Sequence, residues 1–339
     1  HEREVARRKD AAAARWKVPA SECRAQAGSV VHAASKRTAP YGALVAAAAA
    51  LPVPEKAPLK TAADGFKVIG KPQRRLDSRA KVIGTAEYGI DVRLPGMKVA
   101  TLAQSPVFGG KLGAADEDAA MKVKGVRKVV RLPDAVAVVA DHYWAARKGL
   151  EALAPSWEDG ANAVATQAAI VSSYAEAAQQ PGNAAMGKDG IDAATLAKAM
   201  EGAVKRVSAV YEQPFLAHAA MEPGNCVVHV KDGGCEIWTG TQVPGSARDE
   251  AAAALGVPVE KVVLHNRLMG GGFGRRLEAD YILRTIEVAK QVDAPVKLLW
   301  SREEDMQHDL YRPFYHDQIE AGLDAEGKPV AWNHKITGS

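Results

Sequence analysis

The residues best placed to do chemistry sit in one run, Met269-Gly270-Gly271-Gly272-Phe273-Gly274-Arg275-Arg276. It holds four glycines in five residues, and glycine, lacking a Cβ, reaches φ > 0 at little cost. Successive backbone N–H groups in such a run can converge on one anionic or polar group. Arg275 and Arg276 add full positive charge, and a following helix N-terminus would add a partial one. Two nucleotide fingerprints fail on spacing. A Walker loop ends Gly-Lys-Ser/Thr where this one ends Gly-Arg-Arg, and the dinucleotide pattern needs a third glycine where Arg275 stands. An anion-binding loop and a turn that only reverses the chain both stay open on local grounds.

His218 and Glu222, four apart in His218-Ala219-Ala220-Met221-Glu222-Pro223, could share a helix face as an acid/base or metal pair. They could equally bond local backbone in a turn before the proline. No third ligand follows closely, because His229 falls on the next strand, so no His-based metal centre is expected. Gln242, in Thr239-Gly240-Thr241-Gln242, ends a strand and cannot titrate. Its amide can donate a hydrogen bond to a bound oxygen or cap a surface turn. Ser301 with Glu304 three residues on reads as a capping box, so the carboxylates of 303–305 are structural. His308, His316 and His334 lie on unlike elements, and no Ser/His/Asp or Cys/His arrangement follows from spacing.

The elements that must position these groups follow from periodicity. A strand over 261–268 and a helix over 278–292 flank the glycine run. Upstream, 226–230 and 236–239 read as a hairpin turning at Asp232-Gly233-Gly234, and 248–255 as a helix. Downstream come a buried strand over 296–300 and an antiparallel pair turning at Asp324-Ala325-Glu326-Gly327. Further upstream, strands over 97–105, 126–131 and 135–140 alternate with helices over 116–123 and 143–153. A helix over 164–178, a loop over 179–189 and a strand over 204–211 lead into the last block. The chain opens with a charged, alanine-rich helix over 2–18, two short strands within 21–34 turning at Ala27-Gly28, and a second alanine helix over 41–51. A proline-containing linker covers 52–64. The fold class expected is α+β (mixed α/β). The blocks are 1–65, the remnant of a preceding domain plus linker, then 66–158 and 159–339.

A chain of 339 residues, 47% hydrophobic and 25% charged, is long enough for two or three domains and a sizeable core. Its net charge of +4 is mild and its basic residues are interspersed with acidic ones, which argues against nucleic acid as a partner. No run approaches 18 apolar residues, so no membrane span is expected. Cys23, Cys226 and Cys235 lack metal spacing, and the hairpin register keeps Cys226 and Cys235 from facing each other. Both ends read as cut.

The glycine run, preceded by Thr239-Gly240-Thr241-Gln242 and Leu255-Gly256-Val257-Pro258 and followed by Leu299-Trp300-Ser301-Arg302-Glu303-Glu304-Asp305, resembles the large molybdenum-binding subunit of the xanthine oxidase and aldehyde oxidase family. The double arginine and Arg74-Arg75-Leu76-Asp77 are most similar to its bacterial subgroup of isoquinoline 1-oxidoreductase β subunits and periplasmic aldehyde dehydrogenases. The resemblance covers about residues 66–339. It implies an α/β hammerhead domain over 66–158 and the first part of a molybdenum-cofactor-binding domain over 159–339. The implied cofactor is a molybdenum pyranopterin, as the cytosine dinucleotide, with metal coordination from the cofactor rather than from side chains. The cofactor-binding residues would be Gln242, Gly271, Gly272, Phe273, Gly274, Arg275 and Arg276, with Gln242 bonding an oxygen ligand of molybdenum and the backbone of 272–274 approaching the same group. The implied reaction is hydroxylation of an aldehyde or N-heteroaromatic compound with water as oxygen source. The implied partners are the remainder of the catalytic subunit, a small subunit carrying 2Fe–2S iron–sulfur clusters, and a cytochrome c electron acceptor, in the bacterial periplasm.

Two departures from the family pattern stand out. Xanthine-specific members carry a Glu where this chain has Leu277, which disfavours a purine substrate. The family's general base is a Glu in a Gly-x-Gly-Glu setting, and no Gly-Glu dipeptide occurs here, so no catalytic residue is identified in this chain. The chain therefore reads as one portion of a catalytic subunit whose base comes from the remainder. The alternatives are a non-catalytic cofactor-binding or assembly module and a plain phosphate-binding protein.

Overall fold

Alternating small and branched residues become strands here, and alanine-rich amphipathic runs become the helices that cover them. The computed structural model describes residues 1–57, 59, 61–66, 68–182 and 191–338. Positions 183–189 of the loop expected over 179–189, and Pro58 and Lys60 of the expected linker, lie outside the described residues.

The chain divides into two compact units, His1–Val82 and Ile83–Ser339. The first contains α1 (Glu2–Trp16), β1 (Cys23–Gln26), β2 (Ser29–His32), β3 (Arg37–Pro40), α2 (Val45–Ala49) and α3 (Ser78–Val82). Helix α1 ends where Lys17 turns left-handed at φ 57, and its buried Ala12 and Ala13 pack with Cys23, Val30, Ala39 and Leu44. The expected strand pair turning at Ala27-Gly28 is present and gains β3 as a third antiparallel member. The expected alanine helix over 41–51 splits into a 3-10 turn, Tyr41–Leu44, and the short α2.

The second unit begins with β4 (Lys98–Gln104), β5 (Lys111–Leu112), α4 (Glu117–Lys122), β6 (Val126–Arg131), β7 (Ala135–Ala140), α5 (Tyr143–Leu153) and β8 (Trp157–Glu158). It continues with α6 (Gln167–Ala177), α7 (Ala193–Glu201), β9 (Lys205–Gln213), β10 (Asn225–Lys231), β11 (Gly234–Thr239), α8 (Pro244–Leu255) and β12 (Val262–Asn266). It closes with α9 (Asp280–Ala289), β13 (Val296–Leu299), α10 (Arg302–Gln307), β14 (Tyr315–Leu323) and β15 (Pro329–Gly338). The architecture is mixed α/β, as expected.

One seven-stranded sheet, ordered β12-β11-β10-β13-β4-β7-β6, organises this unit. Only β11–β12 and β13–β4 are parallel pairs. Strands from 66–158 and from 159–339 are thus hydrogen-bonded into one sheet through β13 and β4. The sheet's core is supplied by Tyr281, Ile282 and Ile286 of α9 packed with Cys226, Val228, Ile237 and Leu298. Each such side chain contributes roughly 1.5–3 kcal/mol by leaving water. The β10–β11 hairpin turns through Asp232 at φ 52 and Gly233 at φ 68, the two positive values that a tight two-residue turn requires. Its register pairs Cys235 with Val230 while Cys226 pairs with Leu298 of β13. Both cysteines are free and buried. Burial pushes the Cys235 thiol up to about 11. A separate antiparallel sheet, β15-β14-β9, follows.

Candidate functional site

The glycine run leaves β12 and enters a 3-10 turn, Arg275–Leu277, before α9 starts at Asp280. The 3-10 turn separates the glycines from the start of α9, whose first residue is the acidic Asp280. Gly271 and Gly274 adopt φ 110 and φ 103, which only glycine takes without strain, and Phe273 between them is held at φ 55 with its ring exposed.

Each glycine of the run is packed against a named neighbour. A Cβ on Gly270 would lie 2.4 Å from Glu222 Cβ, and one on Gly272 would lie 2.6 Å from Gln242 Oε1. On Gly240, at the end of β11, a Cβ would meet Met269 Cγ at 2.5 Å. These are closer than any real Cβ contact. The backbones of 222, 240, 242 and 269–274 can therefore approach one another only because the side chains are missing.

Glu222 is one anchor. Its carboxylate accepts from Gly270 N at 2.7 Å, Ile90 N at 3.0 Å and Arg276 Nη2 at 3.3 Å. Arg276 is the other. Its guanidinium also donates to the carbonyls of Gly271, Gly240 and Glu222 at 3.1, 3.2 and 2.9 Å, and lies over the Tyr281 ring. Tyr281 Oη adds a 2.8 Å bond to Gly240 O. The Arg276 carbonyl takes Gln242 N at 3.0 Å and Thr241 Oγ1 at 3.1 Å. At 3% and 6% side-chain exposure, Arg276 and Glu222 form a buried pair with its hydrogen bonds filled.

Arg275 turns to the opposite side. It grips Asp280 with two bonds of 2.7 and 2.6 Å, and its Nε lies 2.7 Å from Asp309 Oδ1 without hydrogen-bond alignment. Burial opposes its charge, but the Asp280 hydrogen bonds and the charges of Asp280, Asp309 and Asp305 outweigh that and hold the guanidinium above its usual basicity. Asp305, in turn, is pushed up by burial, against the Gly224 N–H and the Arg302 charge that favour its ionised form. Both arginines were expected to lend positive charge to an anion at the loop. Their guanidinium groups are instead engaged by the protein's own carboxylates and carbonyls.

Gln242 lies against the loop. Its Oε1 accepts from Gly274 N at 3.2 Å, which orients the amide so that Nε2 is left to donate elsewhere. Among the described residues, no protein acceptor takes the N–H of Gly271, Gly272 or Phe273. Among the described residues, three consecutive donors and the Gln242 Nε2 thus have no protein acceptor.

His218 and Glu222 do not share a helix face, because residues 214–224 are irregular, with Ala219 at φ 47. The local backbone bonds of the turn reading are not made either: Glu222 takes backbone N–H groups of Gly270 and Ile90, from distant segments. His218 Nδ1 lies 3.0 Å from Asp309 Oδ2, and its backbone N–H donates to the same carboxylate. Sequence reasoning missed Asp309 and Gly89-Ile90, which reach the loop from distant segments and leave no local spacing signal, and also Asp280 and Tyr281, which stand five residues after Arg275 and Arg276. Ser301 behaves as expected, with its Oγ accepting from Glu304 N at 3.2 Å. A surface depression of about 580 Å³, lined by Trp144, Arg147, Trp300 and Arg302 among others, contains no residue of 269–274 and not Gln242. The unengaged donors, rather than that apolar hollow, mark the glycine loop as the site.

Residues 177–339 match the molybdopterin cofactor-binding domain. The chain is 30% identical over 375 aligned positions to the isoquinoline 1-oxidoreductase subunit beta of Brevundimonas diminuta, covering 96% of this chain and 46% of that protein. It is 28% identical to the aldehyde oxidoreductase molybdenum-binding subunit of Escherichia coli O157:H7, covering 80% of this chain and 40% of that one. Among solved structures, the aldehyde oxidoreductase from Desulfovibrio gigas superposes with a TM-score of 0.59 at 18% identity, over 77% of this chain and 33% of that one, a likeness of fold. The chain spans less than half the length of these relatives.

Proposed function

Since this chain belongs to the molybdopterin-binding subunits of the xanthine oxidase and aldehyde oxidase family, we propose that the loop of Gly271, Gly272, Phe273 and Gly274, with Gln242, holds the molybdenum-bearing end of a pyranopterin cofactor. The observation that carries this reading is the set of N–H groups at 271–273 without a protein acceptor among the described residues, beside a Gln242 amide whose Nε2 is left to donate. The residues fit such a group: the cradle is closed to any Cβ at 270 and 272, and its donors face no protein acceptor. Arg275 and Arg276 serve the site by shaping the loop rather than by touching the ligand. The cofactor takes the cytosine dinucleotide form.

When bound, this cofactor supplies two-electron oxidation with water as oxygen source, for an aldehyde or an N-heteroaromatic substrate. The chain's own residues then bind and orient. Gln242 Nε2 donates, the 271–273 N–H groups donate, and Glu222 and Arg276 keep the backbone from relaxing. With no Gly-Glu dipeptide in the chain, the proton-abstracting base comes from the remainder of the catalytic subunit. Electrons leave through a 2Fe–2S partner subunit toward a cytochrome c.

The test is to express the chain in a host that makes the cofactor and to measure molybdenum and pterin per mole of protein, for the wild type and for Gln242→Ala. Near-stoichiometric pterin, reduced severalfold in the variant, supports the reading, and a wild type free of both molybdenum and pterin overturns it. Adding the remaining half of the subunit should bring aldehyde oxidation. Bound cofactor without turnover in that reconstituted pair would favour the non-catalytic module.

A further inference from the structure

The loop was expected to draw its positive charge from Arg275 and Arg276, yet both point into the protein. Two other groups reach its tip. His218 Nε2 lies 3.5 Å from where a Cβ on Gly274 would stand, and Arg312 Nη2 lies 3.5 Å from Phe273 O. Their segments are joined by a pair of backbone bonds between Leu216 and Arg312, 3.0 and 3.3 Å. The side chain of His218 is 9% exposed, and among the described residues no protein group takes its Nε2.

The ring is locked from behind. Asp309, with its side chain 1% exposed, accepts from the His218 backbone N–H and lies 3.0 Å from Nδ1. An ionised carboxylate only accepts, so Nδ1 carries a proton and any second proton resides on Nε2. The charged groups around this ring come from every neighbouring segment. Asp309, Asp305 and Asp280 are negative; Arg275 and Arg302 are positive, bonded to Asp280 and Asp305; Arg312 is exposed at the tip. Glu222 on the ring's own segment faces away, to Gly270 and Arg276. Three carboxylates and the three guanidinium groups of Arg275, Arg302 and Arg312 thus surround the ring, and on the loop side its Nε2 has no protein partner among the described residues.

We propose that His218 Nε2 and the Arg312 guanidinium form a binding wall for a tetrahedral oxyanion at the tip of the glycine loop, with Asp309 as the positioning residue that aims the imidazole. The inference rests on the loop being a ligand site, as proposed above. The oxyanion is either an oxygen-bearing end of the bound cofactor or a free anion that enters beside it. His218 binds it as a donor through Nε2.

The test uses the whole chain, labelled with ¹⁵N-histidine, at constant ionic strength. Sodium molybdate and sodium sulfate are titrated into cofactor-free protein while the ring resonances are followed. Either anion should shift the His218 Nε2 resonance. Arg312→Gln, on the surface, should weaken binding about tenfold with unchanged circular dichroism. His218→Gln, which keeps an amide donor near the Nε2 position, should weaken it less than His218→Ala. In cofactor-loaded protein, a His218 signal already shifted and deaf to added anion assigns the oxyanion to the cofactor, and a signal that still responds assigns it to a free anion. A His218 resonance indifferent to molybdate, sulfate and cofactor alike, with wild-type affinity in Arg312→Gln, overturns the proposal. That failure is separate from the cofactor reading, which stands or falls on co-purified pterin.

Discussion

The two flanks of the glycine loop solve the same problem differently. On one side Glu222 and Arg276 are buried, mutually paired and hydrogen-bonded to six backbone groups, those of Gly270, Ile90, Gly271, Gly240, Pro223 and Glu222 itself. On the other side Arg275, Asp280, Asp309 and His218 form a chain of charges that ends at the loop surface with a ring nitrogen unclaimed. The first flank can only hold shape, because it has no donor or acceptor left to offer. The second holds shape and also presents a group that can respond to a ligand. Adjacent arginines in the sequence therefore belong to one closed and one open network.

Breaking the closed flank should have the largest effect. Arg276→Ala or Glu222→Ala leaves a buried partner charge uncompensated, and either should cost about 3–5 kcal/mol in denaturant unfolding. A loss under about 1 kcal/mol would mean that water reaches the pair and that the flank is not closed. Next in size is Gly272→Ala. Its new Cβ would meet Gln242 Oε1 at 2.6 Å, so we expect a loss of roughly 1–3 kcal/mol. Gly272→Ala/Gln242→Ala should regain stability but not pterin, which separates packing from binding.

A smaller effect is expected at His308, near the second flank. Its Nε2 bonds Ser105 O at 2.8 Å and its Nδ1 lies 3.0 Å from Glu304 Oε2, so both neighbours are acceptors and both nitrogens should carry protons. Burial opposes the charge, but the adjacent Glu304 carboxylate and the Ser105 carbonyl raise its affinity for a proton above that of ordinary histidine. With the folded pKa raised, the stability it contributes is complete below the ordinary histidine range, about 6.5, and is lost as pH rises through the folded value. His308→Gln should flatten thermal stability against pH above the ordinary histidine range, about 6.5; an unchanged slope would exclude His308 as its source. The smallest effect belongs to Phe273→Gly, which removes a left-handed non-glycine residue and should change stability by no more than about 1 kcal/mol, in the stabilising direction. A clear loss would show that the exposed ring packs on something in solution.

Much of the fold was legible because the elements are periodic and their ends are marked. The hairpin turn at Asp232-Gly233, the capping serine before α10 and the strand runs of β4, β6, β7 and β13 all announce themselves within ten residues. The helix expected over 278–292 runs Asp280–Ala289, and between it and the glycines Arg275–Leu277 closes a 3-10 turn from which the two guanidinium groups reach Asp280 and Glu222. In the site, the loop and Gln242 were identifiable from residue type at a strand end. The destinations of the two arginines were not. A charge pattern shows that an arginine is present, but whether it faces a ligand or an Asp309 that lies 34 positions later depends on tertiary pairing. His218 was noticed for the wrong partner, because spacing within one segment suggested Glu222 while topology supplies Asp309.

The parallel seam between β4 and β13 has a consequence for how the chain assembles. Lys98 pairs with Val296, so closing that seam joins positions on the order of 200 residues apart, a slow kind of contact to find. The glycine loop precedes β13 in the chain, so during synthesis the loop emerges before the strand that joins the sheet's two halves. Until then β10 and β4 each present an open edge on which other chains could pair. Production of this protein should therefore be limited less by the stability of its finished site than by the interval in which those edges wait for residues 296–299.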